Sequence, residues 1–266
     1  PAMSDDSITL LAERGHWLRA EAEQKLPRLD HESARNRLEE LLTSDVSSES
    51  KREAAWGLGV IEAEDAVPTL LDCVRMTDDP MVRESVFEAL TDIGGDEVRD
   101  ALVAALDDEC LETDAALVTA LAEVGDDGTG IVSDRLGQLF DTADSPEVRA
   151  AALGGLGGQR GVDRLFSSLI ADAVAVRRVA AKQLKARAAA THVPTRASTA
   201  FRNRLREERR VLATALGDDD PDVRALVVQI VGYGAVVELR ERLAEVADSD
   251  PDERVRAVAT ETLDEM

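Results

Sequence analysis

Few side chains in this 266-residue chain have the chemistry of a catalytic or metal site. The three histidines, His16, His31 and His192, are scattered, and no zinc-protease, nucleophile-elbow, P-loop or dinucleotide-binding motif occurs. Asp30, His31 and Glu32 form the one cluster of metal-ligating types, but adjacent residues point to different faces of a helix. We interpret this cluster as a helix-capping segment and expect no catalytic residue, metal or cofactor.

The two cysteines, Cys73 and Cys110, are too few for a disulfide framework. Because no secretory signal segment is recognised, we expect reduced thiols that pack as small apolar groups in a cytoplasmic protein. The longest apolar runs are far shorter than a membrane-spanning helix. We therefore expect no membrane partner.

A basic segment runs from Arg177 to Arg210, although the net charge of the chain is −23. It holds eleven basic and two acidic residues, so its own charge is +9. Its cations recur three, four, seven or eight residues apart, which places each set on one face of a helix. The candidate partner-binding residues are Arg178, Lys182, Lys185, Arg202, Arg206, Arg209 and Arg210.

Two interpretations of the basic segment stay open. Long arginine side chains can lie over apolar surface and pair with acids of neighbouring elements, which makes a solvated face without further function. The segment can instead be a docking site for an acidic protein or for the phosphates of RNA or DNA. Few aromatic residues lie near it to stack on bases, so we rank a protein partner above nucleic acid.

A recurring pattern indicates the elements that position these side chains. Each copy has valine followed by arginine, then an apolar or small residue three positions later and another seven positions later. Complete copies have their arginine at Arg83, Arg149, Arg177, Arg224 and Arg256. Lys51 and Asp114 take the arginine position in two degenerate copies. Self-similarity at this period indicates a solenoid, whose units bury their apolar faces against their neighbours.

Each copy is predicted to form two helices. A capping residue followed by proline starts the first helix, because the cap accepts from a free amide and proline has no amide to leave unpaired. These starts are at Asp79, Ser145, Asp220 and Asp250. Helices are predicted to end where a glycine accepts a left-handed conformation. These glycines include Gly94, Gly125, Gly157 and Gly234. No stretch has the alternation of a strand, so we predict an all-α fold.

The combination of these features resembles HEAT repeats, specifically the HEAT-like repeats named after phycobilisome lyases. It consists of the aspartate and proline, Val-Arg, the later alanine and leucine, a glycine turn, and a helix such as Ala-Val-Pro-Thr-Leu-Leu at 66–71. The resemblance covers residues 46–266. It implies a right-handed α-α superhelix of about six to seven helix pairs, whose concave face holds proteins.

The resemblance also implies roles for particular residues. The repeated arginines would form a buried ladder with aspartates of neighbouring units, and Asp114 would interrupt it. HEAT-repeat hydroxylases of deoxyhypusine use repeated His-Glu pairs to hold iron, and the single pair His31-Glu32 does not extend the resemblance to them. Lyase activity does not follow from the name of a repeat family, because a fold does not fix a function.

The predicted domain organisation has two parts. Residues 1–44 form an N-terminal helical cap with helices near 8–25 and 31–42, and Pro1 and Ala2 are excluded as a remnant of cloning. Residues 45–266 form the solenoid, with an over-long basic unit at 172–217. The many acids and scarce lysines resemble proteins of salt-loving archaea, whose acidic surfaces stay soluble in concentrated salt.

We therefore predict a non-catalytic, monomeric scaffold or adaptor whose concave surface binds another, acidic protein. The alternative is a nucleic-acid-binding protein that uses residues 177–210. The second alternative is an accessory subunit of an enzyme.

Overall fold

The computed structural model describes residues 31–126, 128–192 and 195–266, apart from the side chains of residues 31, 158–160 and 192. His16, Asp30 and the helix predicted at 8–25 lie outside the described residues. The described residues form fifteen α-helices and three short 3-10 helices, without a strand among them. The predicted all-α solenoid of helix pairs is confirmed.

Contacts between Cα atoms group the chain into two units, divided between Leu136 and Gly137. The helices of the first unit pack as successive pairs. They are α1 (His31–Thr43), α2 (Ser48–Val60), α3 (Val67–Met76), α4 (Pro80–Ile93), α5 (Gly95–Ala105) and α6 (Ala115–Val124), and α7 (Ile131–Thr142) runs across the division. Helix α2 packs on α4 and α4 on α6, while α3 and α5 each pack on the next of these helices. Helix α1 packs on α2 and α3.

The second unit repeats this arrangement with one insertion. It contains α8 (Pro146–Gly155), α9 (Gly158–Ser168), α10 (Val174–Ala189), α11 (Arg196–Glu207), α12 (Arg209–Ala215), α13 (Pro221–Tyr233), α14 (Arg240–Ser249) and α15 (Glu253–Glu265). Helices α8, α10, α13 and α15 pack in that order, and α9, α12 and α14 each pack on the next of them. Helix α11 is the insertion and contacts α12 and the 3-10 helix Ala190–His192. The other 3-10 helices are Glu64–Ala66 and Val237–Leu239.

We call the first helix of each pair an A helix and the second a B helix. The A helices approach closely because small residues lie where they cross. A Cβ atom on Gly59 of α2 would lie 3.1 Å from the Cα atom of Ala89 in α4. A Cβ atom on Gly232 of α13 would lie 2.5 Å from the Cγ2 atom of Thr262 in α15. Glycine at these crossings therefore allows each pair to stack on the next.

The structure shows the predicted capped starts for three of the four helices. Asp79, Ser145 and Asp220 are the N-caps of α4, α8 and α13, and each side chain accepts from an amide of the first turn. The fourth start was wrong, because α15 is capped by Asp252 rather than Asp250. The Asp252 carboxylate accepts from the amides of Arg254 and Val255, whereas the Asp250 carboxylate is engaged by an arginine of the preceding pair.

Of the four glycines predicted to end helices, two have the left-handed conformation and two do not. Gly94 and Gly125 have φ values of 63° and 76°, in the left-handed region that favours glycine. Gly157 and Gly234 do not, and the left-handed residue after α13 is Ala235, with a φ of 48°. A Cβ atom on Gly234 would lie 2.5 Å from Leu205 Cδ1, so glycine is needed there for space rather than for its backbone conformation.

Helix α10 continues to Ala189, and a capping box of Thr195 and Ser198 starts α11. One smaller expectation was wrong. Cys110 is exposed in the loop between α5 and α6, although Cys73 is buried as expected. Burial raises the pKa of the Cys73 thiol, against the opposing charge of Lys51. None of the described helices is long and apolar enough to cross a membrane.

Candidate functional site

The repeated arginines lie where one helix pair meets the next. We call them the ladder arginines, and they are Arg83, Arg149, Arg177, Arg224 and Arg256. Each is the fourth residue after the N-cap of its A helix. Side chains on a helix lean toward its N-terminus, so this position brings the guanidinium to the loop that precedes the helix.

Arg224 shows the complete arrangement. Its Nη1 atom donates to the backbone carbonyls of Asp218 and Asp219 at 2.7 and 3.2 Å, in the loop before its own helix. Its Nε and Nη2 atoms each donate to the Asp250 carboxylate at 2.8 Å, in the loop before the next A helix. The Arg224 and Asp250 side chains are 8% and 4% exposed, so this two-bond pair is buried.

Arg177 repeats both halves of the arrangement. Its Nη1 atom donates to the carbonyls of Ala171 and Asp172, and its Nε and Nη2 atoms donate to the Asp218 carboxylate at 2.6 and 3.1 Å. Two successive ion pairs therefore join α10 to α13 and α13 to α15.

The ladder pair in the first unit corrects one expectation. Asp114, which the sequence placed at an arginine position, is instead the N-cap of α6, and Val118 lies four residues after it. The Asp114 carboxylate accepts from the amide of Leu117 at 2.9 Å and from Arg83 Nε at 2.7 Å. Asp114 thus forms a ladder pair with Arg83, and the break in the ladder lies instead at Val118, which stands where α6 would carry its own arginine.

Arg149 and Arg256 make only the bonds to the loop before their own helix. The Arg149 Nη1 atom donates to the carbonyls of Ala143 and Asp144 at 2.7 and 2.9 Å. The Arg256 Nη1 atom donates to the carbonyls of Asp250 and Pro251 at 2.7 and 3.4 Å. Neither guanidinium forms an ion pair within the part of the chain that the structure describes.

The acids of the ladder were missed in the sequence, where Asp218 and Asp250 were interpreted as helix caps. Each lies two residues before the true cap, and its Oδ1 atom accepts from the backbone amide of that cap, Asp220 or Asp252. The available signal was the spacing Asp-x-Asp-x-x-x-Arg, which occurs at 218–224 and again at 250–256. In this spacing the first acid accepts hydrogen bonds from the ladder arginine of the preceding helix pair.

Two of these loop carboxyls have pKa values below their usual range. The hydrogen bond from Arg178 is the largest cause for Asp220, and the amides of Val223 and Asp222 lower its pKa further, against the effect of burial. Burial by itself raises the pKa of Asp250, but the hydrogen bonds from Arg224 and the Asp252 amide outweigh it. Both side chains are therefore held as carboxylates in the folded protein.

We predict that the wild-type protein loses more stability on acidification than an Asp220→Asn variant does. The folded pKa of Asp220 lies below the unfolded value of about 3.9, so its contribution is present above about pH 4 and is lost as the pH falls through the folded pKa. Asparagine keeps the cap but does not titrate. The urea midpoint, measured from pH 5 to pH 2 at constant salt, should fall less for the variant. Equal slopes would contradict the prediction.

The seven candidate partner-binding residues are divided among three helices. Arg178, Lys182 and Lys185 are on α10, an A helix between α8 and α13. The other four are Arg202 and Arg206 on α11, and Arg209 and Arg210 on α12. Helix α11 lies beside the B helix α9, where the rings of Phe201 and Phe166 have centroids 6.4 Å apart. The basic segment is thus divided between A and B helices.

Two of the seven cations are engaged within the fold. The Nη2 atom of Arg178 lies 2.5 Å from the Asp220 carboxylate and 3.5 Å from that of Asp222, at the start of α13. Arg202 donates to the backbone carbonyl of Thr191 at 2.8 Å and to its hydroxyl at 3.2 Å. For these two residues the interpretation as an internally paired face is the better one.

The remaining five cations have no acidic partner among the described residues. Lys182 is exposed and Lys185 is partly exposed, both on α10. Arg206, Arg209 and Arg210 are exposed and close together in sequence, and we call these three the α11–α12 cluster. The predicted single stripe from Arg202 is interrupted, because Glu208 has a φ of −85° and a ψ of 14° and separates α11 from α12.

Both acids of the basic segment are engaged by one arginine outside the cluster. Arg204 Nη2 lies 2.8 Å from the Glu208 carboxylate and 3.1 Å from that of Asp163 in α9, and Arg204 Nη1 lies 3.4 Å from Glu207. The Arg204 guanidinium also lies 5.8 Å from the centroid of the Phe166 ring. Sequence analysis did not single out Arg204, because its partner Asp163 is 41 residues away.

Two further features of the described residues concern metal ligands and the groove between α4 and α6. No group of three or more His, Cys, Asp and Glu side chains among them could hold a metal ion. The groove between α4 and α6 has a volume of about 500 Å³ and is lined by alanines, threonines and the carboxylates of Glu84, Glu88 and Glu123. It contains neither histidine nor cysteine.

Comparisons with known proteins concern the repeats. A family model described as HEAT repeats matches residues 8–91 and 77–157, which together are more than half of the chain. The match begins within the segment predicted as a cap. No curated protein sequence matches the chain.

Three solved structures with similar folds are distant from this chain. The structure of human deoxyhypusine hydroxylase in complex with glycerol has a TM-score of 0.36 and 23% identity, and the alignment covers 98% of this chain and 96% of that one. The complex of CpcE and CpcF of phycocyanin lyase from Nostoc sp. has a TM-score of 0.43 and 17% identity, with 99% and 95% covered. An engineered protein has a TM-score of 0.42 and 20% identity, with 87% and 97% covered.

Proposed function

Because the chain belongs to the HEAT-repeat family, we propose that it is a non-catalytic scaffold or adaptor that binds an acidic protein through the α11–α12 cluster. The observation that carries the proposal is the unneutralised charge of Arg206, Arg209 and Arg210. In a chain with a net charge of −23, three other arginines of the same segment, Arg177, Arg178 and Arg204, are paired with acids, whereas the three of the cluster are not.

The position of the cluster supports a binding role. Helix α11 is the insertion that makes its repeat over-long, and Leu205 is its only fully buried side chain in the structure. A helix that adds so little to the core, and that carries exposed arginines instead, favours contact with another molecule. Arginine is enriched in protein interfaces, where its fork of donors pairs with carboxylates.

The burial of the nearest aromatic ring favours a protein partner over a nucleic acid. Phe201 is partly buried and packs on Phe166, which reduces the ring area available for stacking on a base. Three exposed guanidiniums remain able to bind phosphates, so a nucleic acid is the competing outcome of the experiment below.

A cytoplasm rich in salt is the setting that we propose for this interaction. Lysine occurs at only four positions, and aspartate and glutamate exceed lysine and arginine by 54 to 31. A surface with this excess of like charge is tolerated best where salt screens it. On the basis of this composition, we propose both this setting and an origin in a salt-loving archaeon.

We expect reversal of the three cluster charges to abolish partner binding. The wild-type protein and the variant Arg206→Glu/Arg209→Glu/Arg210→Glu would be immobilised and exposed to a high-salt lysate of the source organism. A nuclease-resistant protein should be captured by the wild type and reduced at least about tenfold with the variant, which corresponds to about 1.4 kcal/mol. The bound protein would be quantified by mass spectrometry.

The matched control reverses two cations of an A helix that have no acidic partner among the described residues, Lys182→Glu/Lys185→Glu. Capture by this control should equal capture by the wild type, and thermal unfolding of both variants should show that they remain folded. Capture of nuclease-sensitive nucleic acid would replace the proposal with the nucleic-acid alternative. Equal capture by all three proteins would mean that the cluster is a solvated face.

A further inference from the structure

The ladder lacks one acid in the middle of the second unit. Arg177 and Arg224 each donate to an aspartate that lies two residues before the N-cap of the next A helix. Arg83 donates to the N-cap aspartate itself. For Arg149 the next A helix is α10, whose N-cap is Ala173. Ala171 and Ala173 occupy the two positions that could supply a carboxylate to Arg149.

The guanidinium of Arg149 is nevertheless held like those of the complete pairs. Its Nη1 atom makes the same two bonds to loop carbonyls that Arg177 and Arg224 make, at the same offsets in sequence. Helix α8 packs on α10, and α10 packs on α13. The Nε and Nη2 atoms, which bind a carboxylate in the two other repeats, form no ion pair among the described residues, and Glu147 interacts with Arg149 only through its charge.

The loop that replaces the missing acid carries exposed apolar side chains. Ile170 and Val174, on either side of Ala171 and Ala173, are 53% and 41% exposed. Large aliphatic side chains with this exposure are few among the described residues. Arg256, the other ladder arginine without an acid, has no such flank, because α15 exposes mainly acids, alanine and threonine.

We propose that the Nε and Nη2 atoms of Arg149 bind the carboxylate of an aspartate or glutamate side chain of a partner protein, with Ile170 and Val174 contacting apolar residues beside it. The partner side chain would take the place that Asp218 and Asp250 take in the complete ladder pairs. The proposal is independent of the α11–α12 cluster, because it uses α8 and the loop before α10.

The first test follows the Arg149 side chain by nuclear magnetic resonance. The probe is the capped peptide Leu-Asp-Leu, and the control is the capped peptide Leu-Asn-Leu, both in 0.5 M salt to screen the net charge of the protein. We expect the aspartate peptide to shift the Arg149 Nε–Hε signal saturably, and the asparagine peptide to leave it in place. The signals of Arg177 and Arg224, whose carboxylate partners are internal, should not move.

The second test supplies the missing acid within the chain. In the variant Ala171→Asp, the new carboxylate lies where Asp218 and Asp250 lie in their repeats, so it should pair with Arg149. The Arg149 Nε–Hε signal should then shift without peptide, and the peptide should no longer move it. The unfolding temperature should rise by about 2–4 °C, the shift expected when one pair adds a modest stabilisation to a chain of this size.

Two results would overturn the proposal. One is an Arg149 signal that does not respond to the aspartate peptide, or that responds equally to the asparagine peptide. The other is an Ala171→Asp variant in which the Arg149 signal keeps its wild-type position and its wild-type response to the peptide. Because Arg206, Arg209 and Arg210 take no part in either measurement, failure here is distinguishable from failure of the proposed scaffold surface.

Discussion

Replacing Arg224 with alanine is expected to lower the free energy of unfolding by about 3–5 kcal/mol. The variant leaves the Asp250 carboxylate in the interior without the two charge-assisted hydrogen bonds that it now accepts. It also removes the Nη1 contacts that hold the loop at Asp218 and Asp219. Urea unfolding at pH 7, followed by circular dichroism, would measure the loss.

The matched control is Arg254→Ala in the same unit. Arg254 also contacts two aspartates, but its side chain is 71% exposed, and such surface pairs contribute little. Its unfolding curve should coincide with that of the wild type. The double variant Arg224→Ala/Asp250→Ala should be less destabilised than the sum of the two single variants, because no buried charge is left unpaired. Equal losses for Arg224→Ala and Arg254→Ala would contradict a buried ladder pair.

Replacing Phe166 with alanine is expected to cost about 3–5 kcal/mol of folding free energy and to weaken partner binding as well. The ring is 2% exposed, and it contacts both Phe201 and the Arg204 guanidinium of α11. Truncation therefore removes core packing from α9 and support from the helix that carries the proposed contact surface. Calorimetry and the capture experiment described above would measure the two effects.

Phe140 offers a control for the aromatic truncation. It lies in the second unit under the guanidinium of Arg164, at 5.8 Å, but it is only partly buried. Phe140→Ala should therefore destabilise the protein less than Phe166→Ala, and it should leave partner capture unchanged. If the two variants lose equal stability and equal capture, Phe166 has no particular role in supporting α11.

The sequence was sufficient to predict the helix pairs, because their signals are local. A cap, a proline and apolar residues at helical spacing lie within one turn or two of each other, as at Asp79 and Ser145. The errors arose where a residue serves a distant partner. Asp250 precedes a proline like the other caps, but it is occupied by Arg224, which lies 26 residues earlier. Gly234 resembles a helix-ending glycine, but glycine is needed there because the Leu205 side chain leaves no space for a Cβ atom.

The candidate site was predictable only in part for the same reason. The charge run from Arg177 to Arg210 is visible in the sequence, but its division between A and B helices is not. The pairing of Arg178 with Asp220 spans 42 residues. Whether a cation is free to bind a partner therefore depends on contacts that the over-long repeat creates, and no local pattern reports them.

The charge arrangement around Arg206, Arg209 and Arg210 has a kinetic consequence. An acidic partner that diffuses toward a chain of charge −23 feels the net repulsion out to roughly a Debye length, about 8 Å at physiological ionic strength, and longer at lower salt. The arginines of the cluster dominate only at direct contact. Added salt shortens the repulsive range more than it weakens direct contact, so association should accelerate as salt rises. This is the reverse of ordinary electrostatic steering, and it would confine rapid encounter to a concentrated-salt environment.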